Sequence, residues 1–264
     1  MQQTWLITGP PGCGKTNWIL EVLQKHRGDC AYLRLDGSSH EGLEQGHNAG
    51  IDRAWLMDQI PQLQKFSDPA TSSQLSSSDR FVLIEAQQFS APTPSADGPD
   101  PQIKQQLERF NLTPDRTLHF GLDPELPKQD TLAFTKLEAW HLDLQGCVWD
   151  PNSLSSFWFE LVNGAYGDVY RAKALMNMPD GRSFFCNWMV SKSGSQFLPL
   201  QSVVPPTGRP RRASHLVIQG KGLIPTAIRS TINDCLLSDD VLEFQQAPLR
   251  DQQPNLQPTL QTPA

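Results

Sequence analysis

Gly9-Pro10-Pro11-Gly12-Cys13-Gly14-Lys15-Thr16 is a complete G-x-x-x-x-G-K-[ST] sequence, and its reading decides the fold. Before it, Thr4-Trp5-Leu6-Ile7-Thr8 reads as a short apolar strand; after it, Asn17 to Lys25 places apolar residues at helical spacing. Strand, loop and helix in that order are the context in which this motif cradles phosphate. Its glycines let the backbone N–H groups of Gly9, Gly12, Cys13 and Gly14 turn inward, and the helix N-terminus adds the positive end of its dipole. Lys15 then reaches the β- and γ-phosphates, and the Thr16 hydroxyl reaches Mg2+. A chance glycine-rich turn is the competing explanation. A chain of 264 residues yields only ~0.01 such matches at ordinary residue frequencies, so nucleotide binding is expected.

Composition narrows the class. At 264 residues the chain holds one large or two modest domains, with 38% hydrophobic and 19% charged residues, as in a water-soluble globular protein. A net charge of −6 argues against a general nucleic-acid binder; the basic run Arg209-Pro210-Arg211-Arg212 reads as a solvated loop. The five cysteines (13, 30, 147, 186, 235) contain no C-x-x-C pair, which argues against a disulfide framework or a cysteine zinc site. No apolar run approaches membrane length, and the N-terminus enters a core strand directly, so a cytoplasmic protein is expected.

Further along, Cys30 to Asp36 alternates as a strand, Gly37 to Gly50 is a polar loop, and Ile51 to Ile60 is a helix ended by Pro61. Residues 67–79 form a serine-rich linker. Phe81-Val82-Leu83-Ile84-Glu85 is continuous in apolar character, which fits a strand buried on both faces of a parallel sheet. Its terminal carboxylate falls where ligands bind in open α/β sheets. After a loop over 90–101, Ile103, Leu107 and Phe110 mark a helix, and Thr117 to Phe120 and Leu132 to Thr135 read as strands. Strands alternating with helices from a phosphate loop give an α/β fold, a P-loop NTPase with a doubly wound parallel sheet, over residues 1–150. From 151 to 244 the pattern becomes a small α+β C-terminal domain. It has an amphipathic helix at Pro151 to Val162, a hairpin around Pro179-Asp180-Gly181, a strand at Leu216 to Ile218, and a helix from Leu223 to Leu237 packed through Ile224, Ile228 and Ile232. Residues 245–264, rich in Gln and Pro, read as a disordered tail.

Catalysis of phosphoryl transfer is mostly positioning and charge neutralisation. Lys15 and Glu85 are the candidate catalytic residues, with Thr16 and, through water, Glu85 as the Mg2+ site; an ordinary strand-end acid is the bland alternative for Glu85. Asp52 reads either as part of a γ-phosphate sensor or as a surface or N-cap-like acid. In the polar loop, His40, Glu44 and His47 would share a helical face suited to a divalent metal, but Gly42 and Gly46 undercut that helix. Tyr170, Trp158 and Trp188 read as core, and Arg171 and Lys173 as one solvated strand face, with contact to a partner or to the nucleotide domain as the alternative.

Several stretches together resemble the CobW-type GTPases, a family associated with metal delivery and cobalamin-related metal insertion. They are the phosphate loop, the stretch Phe81 to Pro92, Gly50-Ile51-Asp52, and, outside the nucleotide domain, Gly167 to Lys173 with Asp180-Gly181 and Leu216 to Leu223. The resemblance implies GTP with Mg2+, a GTPase activity, a CobW C-terminal domain, a transition metal such as Zn2+ or Co2+, and a client metalloprotein. It also implies that Thr135-Lys136-Leu137-Glu138 stands for the guanine-reading N-K-x-D, with Thr135, Lys136 and Glu138 contacting the base. Thr135 cannot copy the two-sided hydrogen bonding of an asparagine amide.

Departures from the family pattern set the alternatives. The family's C-x-C-C metal motif is missing, and Ala86-Gln87-Gln88 supplies no glycine after Glu85 to bring an N–H to the γ-phosphate. Those departures suit a degenerate nucleotide-binding adaptor or regulator without turnover. A small-molecule kinase is a third reading, against which residues 86–115 offer Arg109 as their one arginine where a lid would need several.

Overall fold

The computed structural model describes residues 3–35, 49–66, 80–88, 99–127 and 137–251. Two compact units form, Met1–Ala139 with Met189–Ser193, and Trp140–Trp188 with Gly194–Ala264.

In the first unit the period-two alternation of strand side chains assigns each residue to one of two cores. The strands are β1 (Gln3–Thr8), β2 (Asp29–Arg34), β3 (Gln64–Lys65), β4 (Arg80–Glu85) and β5 (Arg116–His119). They lie in the order β3-β2-β4-β1-β5 with parallel pairing at every contact. On one face Ile7, Tyr32, Phe81, Leu83 and Leu118 pack with Ile19 and Leu23 of α1 (Lys15–Lys25) and Leu56 of α2 (Ala49–Gln59). On the other, Leu6, Ala31, Leu33, Val82 and Ile84 pack with Ile103 and Leu107 of α3 (Pro101–Arg109). β4 is buried along its whole length, as its unbroken apolar run requires. Helices on both faces make this the expected doubly wound sheet. β3 was not legible in the sequence, and the strand expected at Leu132 to Thr135 lies outside the described residues.

Register sets the level of the site. Ile7 and Arg34 both pair with Glu85, and Thr8 pairs with His119, so the carboxyl ends of four strands form one row beside the loop that follows β1. That edge is where an open α/β sheet presents its ligand-binding residues.

The second unit is built on a sheet in the order β6-β10-β7-β8-β9. Its strands are β6 (Glu138–Asp143), β7 (Asp168–Asn177), β8 (Ser183–Met189), β9 (Gln196–Pro199) and β10 (His215–Lys221). β7 pairs antiparallel with β10, and β8 with β9. The hairpin between β7 and β8 forms at the expected turn; Gly181 there has φ +84°, and a Cβ would stand 1.8 Å from the Val204 carbonyl oxygen. Helix α4 (Pro151–Val162) starts at Asp150, whose carboxylate accepts from the Ser153 N–H at 2.9 Å. Its Leu154, Phe157, Trp158 and Leu161 fall at i, i+3, i+4 and i+7 and fill the core with Trp149, Leu216, Ile218, Ile228 and Ile232.

Four expectations are corrected here. Arg171 and Lys173 on β7 are not solvated but 8% and 3% exposed, the first donating to Gln219 and the second lying over the Phe185 ring. Ile224 is 47% exposed, because it precedes helix α5 (Pro225–Cys235), which packs instead through Ile228, Ile232 and Cys235. The basic run is more than a solvated loop, although Arg209 and Arg211 are exposed as expected. Arg209 donates to the Leu237 and Gly146 carbonyls and Arg212 to those of Gly181 and Ser202, so both guanidinium groups staple loops. The chain past 245 is not tail as far as Asp251, for helix α6 spans Asp239–Asp251 and continues through Pro248. Composition misled because the anchor is polar: buried Gln246 donates to the Pro179 and Gly208 carbonyls and accepts from the Gly208 N–H at 2.6 Å. Residues 252–264 lie outside the description.

Candidate functional site

The loop between β1 and α1 is shaped by local backbone chemistry. Gly9 has φ +148°, and a Cβ there would sit 2.7 Å from the Phe120 Cβ. Gly14, at φ +98°, is the N-cap of α1 and makes no side-chain cap. The first-turn N–H groups of a helix have no partner within the helix, so this end carries concentrated donor capacity and positive potential. Gly12 lies in the same loop. Cys13 is 1% exposed and packs into the core with Ile7 and Phe120, so its side chain anchors the loop while its backbone stays part of it.

Lys15 is 5% exposed, and its ammonium donates to the carbonyls of Gly9 and Pro10, each at 2.8 Å. The loop thus folds around a cation that a phosphate oxygen could take over from two carbonyls. Next to it the Thr16 hydroxyl donates to Asp52 Oδ1 at 3.0 Å. Asp52, from the first turn of α2, pairs with Arg34 at the carboxyl end of β2. Arg34 also reaches Glu85 Oε1 at 3.4 Å, while the Tyr32 hydroxyl donates to Glu85 Oε2 at 2.6 Å. All five residues are linked, from the phosphate loop to the centre of the sheet. Burial by itself would lower the Arg34 pKa, but Glu85 and then Asp52 outweigh it and hold the guanidinium above its ordinary value. Burial first, and the charge of Glu85 second, push the Tyr32 phenol well up.

Thr16 and Asp52 together offer hard oxygen donors of the kind Mg2+ takes alongside phosphate oxygens and water. Glu85 stands one step behind, its two oxygens engaged by Tyr32 and Arg34. Asp52 was legible in the sequence as one of two open readings. Tyr32 and Arg34 were missed there, since alternation marked them only as the polar side of a strand.

The segment after Glu85 is tied down. The Ala86 N–H donates to the Ile7 carbonyl at 2.9 Å and the Gln88 N–H to the Gly9 carbonyl at 3.0 Å. Both donors are thereby used within the protein. The buried Gln88 side-chain oxygen has no hydrogen-bond partner among the described residues, an acceptor left over beside the loop.

Glu138 opens β6 in the second sheet, and Thr135 and Lys136 lie outside the described residues, as do His40, Glu44 and His47. Among the described residues no three His, Cys, Asp or Glu side chains gather as a metal-holding group, and no helix is long and apolar enough to cross a membrane.

His119 ends β5 with its Nδ1 2.8 Å from the Thr8 hydroxyl. Burial, and then the charge of Lys15, hold its imidazole below the usual pKa, against a smaller opposite pull from Asp123. The unfolded chain therefore binds this proton more readily. Stability is fully present above about 6.5, the ordinary histidine value, and is lost as pH falls toward the lower folded value. Denaturant midpoints measured from pH 7.5 to 5 are expected to fall less steeply for His119→Gln than for the wild type.

No family model matches this chain, and no curated protein matches it. Two solved chains align with it. One is the Zn(II)-bound YjiA GTPase from E. coli, at 12% identity over 88% of this chain and 98% of that one, with a TM-score of 0.32. The other is a Zn(II)-bound triple mutant of YjiA GTPase, at 12% identity over 89% and 99%, again with a TM-score of 0.32. At that identity and TM-score the likeness decides neither the family nor the function of this chain.

Proposed function

We propose that this chain is a CobW-like, cytoplasmic protein that binds GTP with Mg2+, hydrolyses it slowly and serves metal delivery to a client metalloprotein. The observation that carries nucleotide binding is the buried Lys15 ammonium, held inside a loop that leads into a helix start without a side-chain cap. On binding, Lys15 would exchange the Gly9 and Pro10 carbonyls for β- and γ-phosphate oxygens, and the loop amides would complete the cradle. Thr16 and Asp52 would hold Mg2+, with Glu85 behind them; the ion supplies charge neutralisation on the phosphates. The guanine preference and the metal role rest on the resemblance of the phosphate loop, of Thr135-Lys136-Leu137-Glu138 and of the stretches Gly167 to Lys173 and Leu216 to Leu223.

Slow turnover fits the use of the Ala86 and Gln88 N–H groups inside the protein, since neither is left to meet a γ-phosphate. The same observation favours a second reading, an adaptor that binds nucleotide and never cleaves it. Titrating labelled GTP and ATP with Mg2+ tests the base preference; ATP binding equal to or tighter than GTP binding removes the guanine claim. Phosphate release by the wild type above that of Lys15→Ala supports the GTPase, and identical rates leave the adaptor.

A further inference from the structure

We propose that Arg34 is a built-in cation of the nucleotide site: by bridging Asp52 and Glu85 it supplies charge that a divalent ion would otherwise provide, so the triphosphate binds with little dependence on Mg2+. This deepens the reading above and rests on it. The side chains of Arg34, Asp52 and Glu85 are 7%, 1% and 3% exposed, so water does little to screen them. Register places Arg34 opposite Glu85, which in turn pairs with Ile7, two residues before the phosphate loop begins at Gly9. Asp52 accepts from Thr16, the last residue of the motif.

Without Arg34, two buried carboxylates would face an incoming polyanion across Thr16, and a divalent ion would be needed to offset both. With it, one fixed positive charge stands against the two acids, and Lys15 adds a second against the phosphates. A guanidinium suits the task because it does not lose its proton and its planar fork can serve two acceptors. The Tyr32 hydroxyl on the far oxygen of Glu85 stabilises that carboxylate in place. Mg2+ arriving at Thr16 and Asp52 would then compete with Arg34 for Asp52, which weakens the metal's hold.

The test compares the affinity of labelled GTP in saturating Mg2+ and in excess EDTA, with thermal melts confirming that each protein is folded. For the wild type the ratio of the two dissociation constants is expected to stay under about tenfold, the scale set by one partly screened charge. For Arg34→Gln the ratio should rise at least about tenfold above that of the wild type, almost entirely through the EDTA arm. Arg34→Lys, which keeps the charge, should stay close to the wild type. A wild-type ratio of about tenfold or more overturns the proposal while leaving nucleotide binding intact. An unchanged ratio in Arg34→Gln also overturns it and assigns Arg34 to fold stability alone. If Arg34→Gln does not fold, the wild-type ratio and the Lys variant decide: a large EDTA loss in either counts against the proposal. Absence of binding in both conditions removes the nucleotide reading itself, and this inference with it.

Discussion

Lys15→Ala is expected to weaken binding of labelled GTP by roughly a hundredfold or more while barely moving the melting temperature. The two halves of that expectation have separate causes. A phosphate oxygen loses a charge-assisted hydrogen bond, and bonds of this kind are worth about 1.5–3 kcal/mol each, before the wider attraction between ammonium and polyphosphate is counted. In the free protein Lys15 serves the Gly9 and Pro10 carbonyls and, at 3.5 Å, the Cys13 sulfur. The Gly9 carbonyl keeps a second donor in the Gln88 N–H, so its acceptor demand stays met after the substitution. A loss of about 1 kcal/mol of stability is the scale for the remaining change. Equilibrium titration by fluorescence anisotropy, beside a melt of the same sample, reads both. Binding unchanged in Lys15→Ala would mean that the loop does not hold the nucleotide, whatever its sequence.

Glu85→Ala should act the other way, with a large effect on folding of the first unit. It takes from the Tyr32 hydroxyl its acceptor at 2.6 Å, and from Arg34 one of two acids, in a strand-end row where the Glu85 side chain is 3% exposed. Breaking a buried ionic group on one side costs about 3–5 kcal/mol in general; because Asp52 still pairs with Arg34, the lower end of that range is expected. Glu85→Gln keeps an oxygen for Tyr32 and should lose less than half as much. Native-state hydrogen exchange at the amides of β2 and β4 measures this locally: protection factors should drop by roughly a hundredfold in the Ala variant. Unchanged protection would show that the buried acid contributes nothing to holding the sheet edge together.

These two residues mark how differently the parts of the site were legible. The loop between β1 and α1 could be read in full as a structure, because its geometry is local: glycine conformations, one lysine and one hydroxyl at fixed spacing suffice to define it. The place of Glu85 at the carboxyl end of a strand buried on both faces could be read from the continuous run Phe81 to Ile84. Asp52 stood as an open choice because its side chain could equally have faced solvent. Arg34 and Tyr32 gave no signal; an arginine and a tyrosine alternating with Ala31 and Leu33 describe any amphipathic strand. In the second unit, the Gln/Pro composition past 245 pointed away from the helix that Gln246 fastens to the carbonyls of Pro179 and Gly208.

What the sequence determined by itself was whatever is set within a few neighbouring residues: the strand–loop–helix of the phosphate site, the period-two and period-3.6 faces, and the turn at Asp180-Gly181. What only the tertiary structure decided was which strand ends stand level, and so which polar side chains share a low-dielectric pocket. The physical reason is register. Parallel pairing of β2 with β4 and β4 with β1 aligns Arg34, Glu85 and Ile7 from segments far apart in the chain. Burial then turns two acids and a guanidinium into one coupled group, although no single stretch of sequence contains it.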